Sequence, residues 1–229
     1  MLCDDRNCKE TDCYHPIYKY QSGEKIIAEI LSCCAEEGSE TILRIQKADV
    51  EVIGVYSPIH RIGKTQYALQ LAKEFAKKGN TLYLNLEAYA GRQEGEEETG
   101  GLTEILYYLR QGCKNMGIRL ETLVKHEEAV DYLVPIEMYQ DLKSVTEEEW
   151  KQLLTEIAEK SIYETVVLDI GDAIRGTYGI LELCSCIYTP IVQEETAQRK
   201  LEQYRHNLTA MGLDCVLERT IFVEVRELL

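Results

Sequence analysis

Residues 50–80 have the sequence VEVIGVYSPIHRIGKTQYALQLAKEFAKKGN. The apolar run over residues 50–57 predicts a buried β-strand. The apolar spacing over residues 64–78 predicts an amphipathic helix that ends at Gly79 and Asn80. A strand, a tight loop and a helix in this order are typical of the first unit of a parallel α/β sheet.

The loop between the predicted strand and helix, SPIHRIGKTQ, has the Gly-Lys-Thr ending of a phosphate-binding loop. We expect Lys64 to reach the β- and γ-phosphates of a nucleotide and the Thr65 hydroxyl to ligate Mg²⁺. The alternative, a Gly-Lys-Thr that merely starts a helix, is disfavoured by the strand and helix on either side. The backbone N–H groups expected to surround the phosphates belong to His60, Arg61, Ile62, Gly63, Lys64, Thr65 and Gln66.

Three residues of this loop depart from the usual pattern. Pro58 has no N–H group, and His60 and Arg61 carry a Cβ atom where glycine would allow left-handed backbone angles. Either the empty loop is distorted or these residues adopt angles that they tolerate. Arg61 would also add positive charge beside the phosphates. We expect nucleotide binding, but not efficient turnover.

The rest of the chain continues the alternation of strands and helices. Strands are predicted at residues 81–87, 131–136, 163–171, 183–192 and 219–225. Three helices are predicted: one at residues 102–111, one that ends at Lys160, and one at residues 193–211. Thr146 and Glu149 form a capping box for the second of these helices, and the apolar face of the third is predicted to contain Ala197, Leu201, Tyr204, Leu208 and Met211. This alternation predicts an α/β fold with a doubly wound, mostly parallel sheet flanked by helices, as in P-loop NTPases.

The charge of the chain limits its partners. The formal net charge is −15 with 40 acidic residues, so no nucleic acid is expected as a partner, since nonspecific binding needs Lys and Arg against phosphates. No apolar run approaches the ~20 residues that span a bilayer, so no membrane insertion is expected. The polar start MLCDDRNCKE is unlike a signal peptide, which favours a cytoplasmic protein with reduced cysteines.

Two groups of cysteines are candidate sites. The spacing of Cys3, Cys8, Cys13 and His15 matches no common zinc motif, so free thiols are the preferred interpretation. Cys184 and Cys186 lie two apart in an apolar run, which predicts one strand with both thiols on the same buried face.

Carboxylates are predicted at the ends of two strands beside the loop. Asp169 ends the run VVLD and is predicted to hold the Mg²⁺ shell, with Asp172 as a weaker candidate. Glu87 ends the run LYLNLE and is the candidate to orient an attacking water, with Asn85 on the same face. For Glu87, an ordinary solvated acid is an equally good interpretation. Glutamates 94 and 96–98, in the loop over residues 90–101, are interpreted as a solvated segment or a partner-binding segment.

With the loop, Asn85, Glu87 and Asp169 in this order, residues 50–226 resemble the MinD/ParA family of P-loop ATPases. The segment from residue 131 to 150 and the run IYTPIVQEETAQRKLEQY are similar to its CpaE/TadZ branch, found with tad-type pilus assembly systems. The resemblance implies ATP and Mg²⁺ as ligands, Lys64 and Thr65 as phosphate and metal contacts, and Asp169 as the second metal contact. It also implies a homodimer and protein partners in a pilus, secretion or positioning system.

Two positions depart from the family's pattern. Ile59 stands where the family has a lysine that crosses to the partner subunit, and Asn85 replaces one acid of the pair after the second strand. Both departures argue against ATP-driven dimerisation and efficient hydrolysis.

The first residues resemble another domain of the CpaE/TadZ proteins. PIYKYQSGEKIIAEIL is similar to the last strand and helix of a receiver domain, with Lys19 at its characteristic lysine position. We expect residues 1–38 to be a receiver-domain remnant, residues 39–49 a linker with a short strand near 42–45, and residues 50–229 the ATPase domain. The apolar stripe of the remnant's helix then needs a covering surface, either the ATPase domain or a second copy of the segment: Ile26, Ile27, Ile30 and Leu31.

Three functions remain open on sequence. One is a Mg²⁺–ATP-dependent switch with slow hydrolysis, and another is a pseudo-ATPase scaffold that acts only through protein binding. The third is a P-loop enzyme acting on a small substrate, which would need a second pocket lined by polar residues.

Overall fold

The computed structural model describes residues 2–3, 16–36, 50–91 and 101–224. The strands are β1 (Leu2–Cys3), β2 (Ile17–Tyr18), β3 (Glu51–Val55), β4 (Thr81–Leu86), β5 (Lys125–Glu127), β6 (Val130–Tyr132), β7 (Thr165–Ile170), β8 (Cys186–Ile191) and β9 (Thr220–Glu224). The helices are α1 (Gly23–Glu36), α2 (Lys64–Ala76), α3 (Leu102–Arg110), α4 (Met116–Leu123), α5 (Tyr139–Ser144), α6 (Glu147–Lys160), α7 (Thr177–Leu183), α8 (Glu195–Ala210) and α9 (Asp214–Glu218).

Strands β3 to β9 form one sheet in the order β5-β6-β4-β7-β3-β8-β9. Every neighbouring pair is parallel except β5 and β6, and β1 pairs with β2 in a separate parallel pair. The predicted α/β fold with a mostly parallel sheet flanked by helices is therefore confirmed.

Both faces of the sheet are covered, because successive side chains along each strand point to opposite faces. On one face, Ala68 and Ala72 of α2 pack against Ile53, Val55 and Val167 of the central strands. The other face holds a larger core beneath α3, α4, α6, α7, α8 and α9, and its sheet residues include Leu82, Leu84, Leu86, Val166, Leu168 and Ile170.

The central strands bring the predicted site residues to one edge. β7 lies between β3 and β4, and Asp169 is in register with Val55 on one side and with Asn85 on the other. Because parallel strands end at the same edge, the loop after β3 lies beside the ends of β4 and β7.

Several elements differ from the sequence prediction. Helices α4, α5, α7 and α9 and strand β5 were not predicted, and the strand expected from residue 131 is the shorter β6. The strand expected from residue 183 begins only at Cys186, because α7 occupies the preceding residues. The predicted strand position of Cys184 was therefore wrong, since the residue follows α7, whereas its predicted burial is confirmed: it is fully buried and donates to the Ile180 carbonyl. Met211 was also placed wrongly, since it follows α8 with 57% exposure.

Helix α1 packs against α4. Ile27 and Ile30 of its predicted apolar stripe nevertheless remain 59% and 44% exposed. The predicted strand near residues 42–45, the side chains of Cys8, Cys13 and His15, and glutamates 94 and 96–98 lie outside the described residues. Among the helices described, none is long and apolar enough to cross a membrane.

Candidate nucleotide-binding site

The opening of the loop after β3 is attached to β8. The Ser57 hydroxyl donates to the Pro190 carbonyl at 2.8 Å and accepts the Ile59 N–H at 3.2 Å. Ile59 is only 6% exposed, so its side chain is part of the core. Pro58 needs no N–H here, because the neighbouring groups supply the hydrogen bonds that hold this end of the loop.

The middle of the loop turns through two left-handed residues. Arg61 has a φ of 61° and Gly63 a φ of 74°. Arg61 therefore adopts the left-handed backbone conformation for which glycine is better suited. In the part of the chain described, the N–H groups of residues 60–63 donate no hydrogen bond, so they are available to a ligand.

The Lys64 ammonium is held at the end of the loop by acceptors from two strands. It forms ion pairs with Asp169 Oδ1 and with Glu87 Oε1, the latter at 2.7 Å, and donates to the Ile170 carbonyl at 2.9 Å. The Lys64 side chain is 12% exposed and that of Asp169 is fully buried. The three residues that the sequence predicted to act together are thus in contact.

The second oxygen of Asp169 accepts from Tyr83. The Tyr83 hydroxyl lies 3.4 Å from Asp169 Oδ2. Burial, followed by the charge of Asp169, raises the pKa of this phenol far above its ordinary range, so Tyr83 stays a donor. Tyr83 was missed in the sequence, although it precedes Asn85 by two positions and therefore shares its strand face.

The end of β4 is positioned by Asn85 and by a glycine of the neighbouring strand. Asn85 Oδ1 accepts the Glu87 N–H at 2.9 Å, which fixes the turn that leads Glu87 to Lys64. A Cβ atom on Gly171 would lie 2.7 Å from Glu87 Oε2 and 2.9 Å from the Leu86 carbonyl. Gly171 is therefore required for the close approach of Glu87, and nothing in the sequence had singled it out.

Asp172 lies at the opposite side of the loop. Its Oδ1 accepts the Tyr56 hydroxyl at 2.9 Å, and its Oδ2 lies 3.4 Å from His60 Nε2. Burial and then Asp172 raise the pKa of the Tyr56 phenol well above its ordinary range. Asp172 thus contacts the loop residue His60 and not Lys64.

Some of these groups line a cleft of about 310 Å³. Tyr139 of α5 forms one wall, and Tyr89, 86% exposed, stacks on its ring at a centroid distance of 6.4 Å. Thr65 and Gln66 are exposed in the first turn of α2. The remaining lining residues are Ser57, His60, Lys64, Glu87, Ala88, Ile170, Gly171, Asp172 and Ala173. The cleft can hold a phosphate chain against the free N–H groups, with Lys64 and a carboxylate on its inner side.

No protein-family model matches the chain, and no curated protein matches it either. Solved structures do. A ParA family ATPase from Chlorobium tepidum aligns with a TM-score of 0.59 at 15% identity, over 76% of this chain and 73% of that one. The MinC:MinD cell division complex of Aquifex aeolicus aligns with a TM-score of 0.54 at 15% identity, over 76% and 68%.

A third similar structure is the ATP complex of a McdA variant from Cyanothece, with a TM-score of 0.56 at 12% identity, over 78% of this chain and 71% of that one. At these identities the likeness concerns the backbone fold. The chain therefore has the fold of the MinD/ParA P-loop ATPases.

Proposed function

We propose that this chain binds Mg²⁺–ATP at residues 60–66 and acts as a MinD/ParA-like positioning or assembly factor with weak or slow ATPase activity. The observation that carries the proposal is the loop itself. Free N–H groups at residues 60–63 precede Lys64, whose ammonium already points at the carboxylates of Asp169 and Glu87. This is the donor set that a triphosphate requires.

The charges of the cleft support a need for Mg²⁺. Asp169, Glu87 and Asp172 contribute three carboxylates beside one ammonium and one histidine. A triphosphate adds further negative charge, so binding without a divalent cation is opposed by repulsion. Thr65 and Asp169 are the residues that would hold Mg²⁺, directly or through water, and the cation would neutralise the phosphates and free Lys64 to contact them.

Slow hydrolysis is proposed because the groups that would activate water are few. The amide oxygen of Asn85 is not basic enough to take a proton from water. The Glu87 carboxylate is paired with Lys64 until a phosphate takes its place. Ile59 is buried, so no cation projects from that position toward a second subunit. Glu87 is proposed as the group that orients water, at reduced efficiency.

A pseudo-ATPase scaffold is the second candidate, and the buried Ile59 and the amide of Asn85 favour it. In either case we propose a homodimer that recruits protein partners of a tad-type pilus, a secretion machine or a related positioning system in the cytoplasm. Residues 1–38, as a receiver-domain remnant linked through 39–49 to an ATPase domain at 50–229, would provide one docking segment for such partners.

Isothermal titration with a non-hydrolysable ATP analogue, with and without Mg²⁺, tests the proposal. We expect Mg²⁺-dependent binding that Lys64→Ala abolishes, because the ammonium and its phosphate contacts are lost together. Lys77→Ala is the matched control, since Lys77 follows the opposite end of α2 and, among the residues that the structure describes, pairs only with Glu74 at the surface.

Lys64→Ala leaves the buried carboxylate of Asp169 without its ammonium, so its folding is checked by circular dichroism. If that variant is unfolded, Thr65→Val replaces it, and it should remove the Mg²⁺ dependence. If the folded wild-type protein binds no nucleotide, the proposal of nucleotide binding is rejected, and the pseudo-ATPase scaffold becomes the preferred function.

A further inference from the structure

The ammonium of Lys64 lies among acceptors that belong to the protein itself. A lysine ammonium has three N–H donors. It donates to one carboxylate oxygen of Asp169 and, at 2.9 Å, to the Ile170 carbonyl, both in β7. Glu87 Oε1, just beyond the end of β4, lies 2.7 Å from the same nitrogen. Three acceptors thus face three donors, so a phosphate that contacts Lys64 must take the place of one of them.

The three acceptors differ in how easily they can leave. Asp169 is fully buried in the central strand, and its other carboxylate oxygen accepts from Tyr83. The Ile170 carbonyl belongs to the main chain of β7 and is fixed with it. The Glu87 side chain, in contrast, is 29% exposed and lines the cleft, so its carboxylate can turn into water without becoming a buried, unpaired charge. Glu87 is therefore the acceptor that a phosphate displaces.

The contact between Glu87 and Lys64 is built by its neighbours and is more than a surface ion pair. Asn85 Oδ1 holds the Glu87 N–H at 2.9 Å, which aims the side chain at the loop. The carboxylate reaches Lys64 only because residue 171 is glycine, since a Cβ there would lie 2.7 Å from Glu87 Oε2. The Lys64 side chain is 12% exposed, so solvent screens its attraction to Glu87 less than at the open surface.

We propose, on the basis of the nucleotide site proposed above, that the ion pair between Glu87 and Lys64 is an autoinhibitory contact. Glu87 competes with the phosphates for Lys64 and so lowers the affinity for nucleotide. After its displacement, the negative charge of Glu87 stays beside the phosphates, and a divalent cation reduces that repulsion. Glu87 thereby makes the site selective for a ligand that brings both a phosphate chain and a divalent cation.

Glu87→Gln tests the contact, because glutamine keeps the shape of the side chain and removes its charge. Isothermal titration with a non-hydrolysable ATP analogue measures the affinity with and without Mg²⁺. In Mg²⁺ we expect the affinity to rise by about tenfold over that of the wild-type protein, since a neutral acceptor competes less strongly for an ammonium. The rise should be larger without Mg²⁺, because no cation then reduces the repulsion that the wild-type carboxylate exerts.

Asp172→Asn is the matched control, since it removes a carboxylate from the same cleft. Asp172 contacts Tyr56 and His60 and not Lys64, so this variant should raise the affinity by about twofold at most. The folding of both variants is checked by their thermal melting curves.

The titrations separate failure of the autoinhibitory contact from failure of the nucleotide site. If the wild-type protein binds the analogue but Glu87→Gln binds it no better, or if Asp172→Asn gains as much as Glu87→Gln, the autoinhibitory contact is overturned and the nucleotide site stands. A rise in Glu87→Gln that is no larger without Mg²⁺ would overturn the part assigned to the cation. If neither the wild-type protein nor Glu87→Gln binds the analogue, the nucleotide site and the autoinhibitory contact are both rejected.

Discussion

Two left-handed residues, Arg61 and Gly63, with Ile62 between them, shape the candidate phosphate loop. For an L-residue this conformation costs about 1–2 kcal/mol, whereas glycine adopts it freely. Arg61 is exposed, so its side chain gains little packing in return. The left-handed conformation of Arg61 is therefore expected to lower the stability of the protein.

Arg61→Gly should therefore raise the free energy of unfolding by about 0.5 kcal/mol. The variant gains stability because the strain at residue 61 is relieved, and it loses part of this gain because glycine gives the unfolded chain more conformational entropy. Urea denaturation without nucleotide measures it. Gly63→Ala is the counterpart, which should lower the free energy of unfolding by about 1–2 kcal/mol, since it introduces the same strain. A loss of stability in Arg61→Gly would mean that the arginine makes a stabilising contact, contrary to this account.

At the scale of single elements, the start of α6 is specified by its own sequence. Thr146 Oγ1 accepts the Glu149 N–H at 3.2 Å, and the Thr146 N–H donates to Glu149 Oε2 at 2.7 Å. Arg110 of α3 donates to the other carboxylate oxygen of Glu149 at 2.6 Å. The capping box predicted from the sequence thus also anchors a neighbouring helix, which the sequence did not reveal.

Thr146→Ala should lower the free energy of unfolding by about 1 kcal/mol, because the Glu149 N–H loses its acceptor. Thr155→Ala is the control in the same helix. Thr155 is exposed, and in the described part of the chain its hydroxyl bonds only to the Lys151 carbonyl, so its replacement should be neutral or slightly stabilising. The same urea denaturation applies to both variants. Equal losses in the two would show that the capping box contributes nothing specific.

Local patterns such as this one were predictable, and elements that depend on distant contacts were not. Helix α4 illustrates the difference, because a Cβ on Gly117 would lie 1.8 Å from the Lys160 carbonyl at the end of α6. The glycine that weakens a helical pattern in the sequence is what lets the two helices touch. The sequence prediction put Cys184 in a strand because a short apolar run is compatible with a strand and with the end of a helix.

The candidate site was predictable in part. Lys64 and Glu87 come after β3 and β4, and Asp169 lies near the end of β7; the carboxyl ends of such parallel strands share an edge. The hydroxyl of Tyr83 on Asp169 and the close approach at Gly171 were not predictable, because they depend on side-chain directions across strands that are far apart in the chain. Whether the grouped residues bind ATP stays a prediction.

At the scale of the whole molecule, the core contains several phenols and one thiol that must stay neutral. Burial is the first cause that raises the pKa of Tyr56, Tyr83, Tyr163 and Tyr204 far above their ordinary value of 10.0. Burial likewise raises the pKa of the Cys184 thiol from 9.0 to about 12. The unfolded chain releases these protons at lower pH than the folded one.

A raised pKa in the folded state stabilises the fold fully below the unfolded pKa and loses that contribution as the pH rises through the folded pKa. The free energy of unfolding should therefore fall progressively above about pH 9, as Cys184 and then the tyrosines ionise in the unfolded chain. Urea denaturation across this range measures the fall, with the near-ultraviolet absorbance of tyrosinate as a second signal. Early tyrosinate formation in the folded protein, without loss of stability, would contradict the prediction.

The position of β7 between β3 and β4 has a consequence for synthesis of the chain on the ribosome. Lys64 and Asp169 are separated by 105 residues, so the loop leaves the ribosome about 5–20 s before the strand that completes its site. During that interval β3 and β4 have no central partner, and their apolar faces are open to chaperones or to other nascent chains. Slowed translation between the codons for these two residues should therefore reduce the yield of folded protein, whereas the same delay placed after β7 should not.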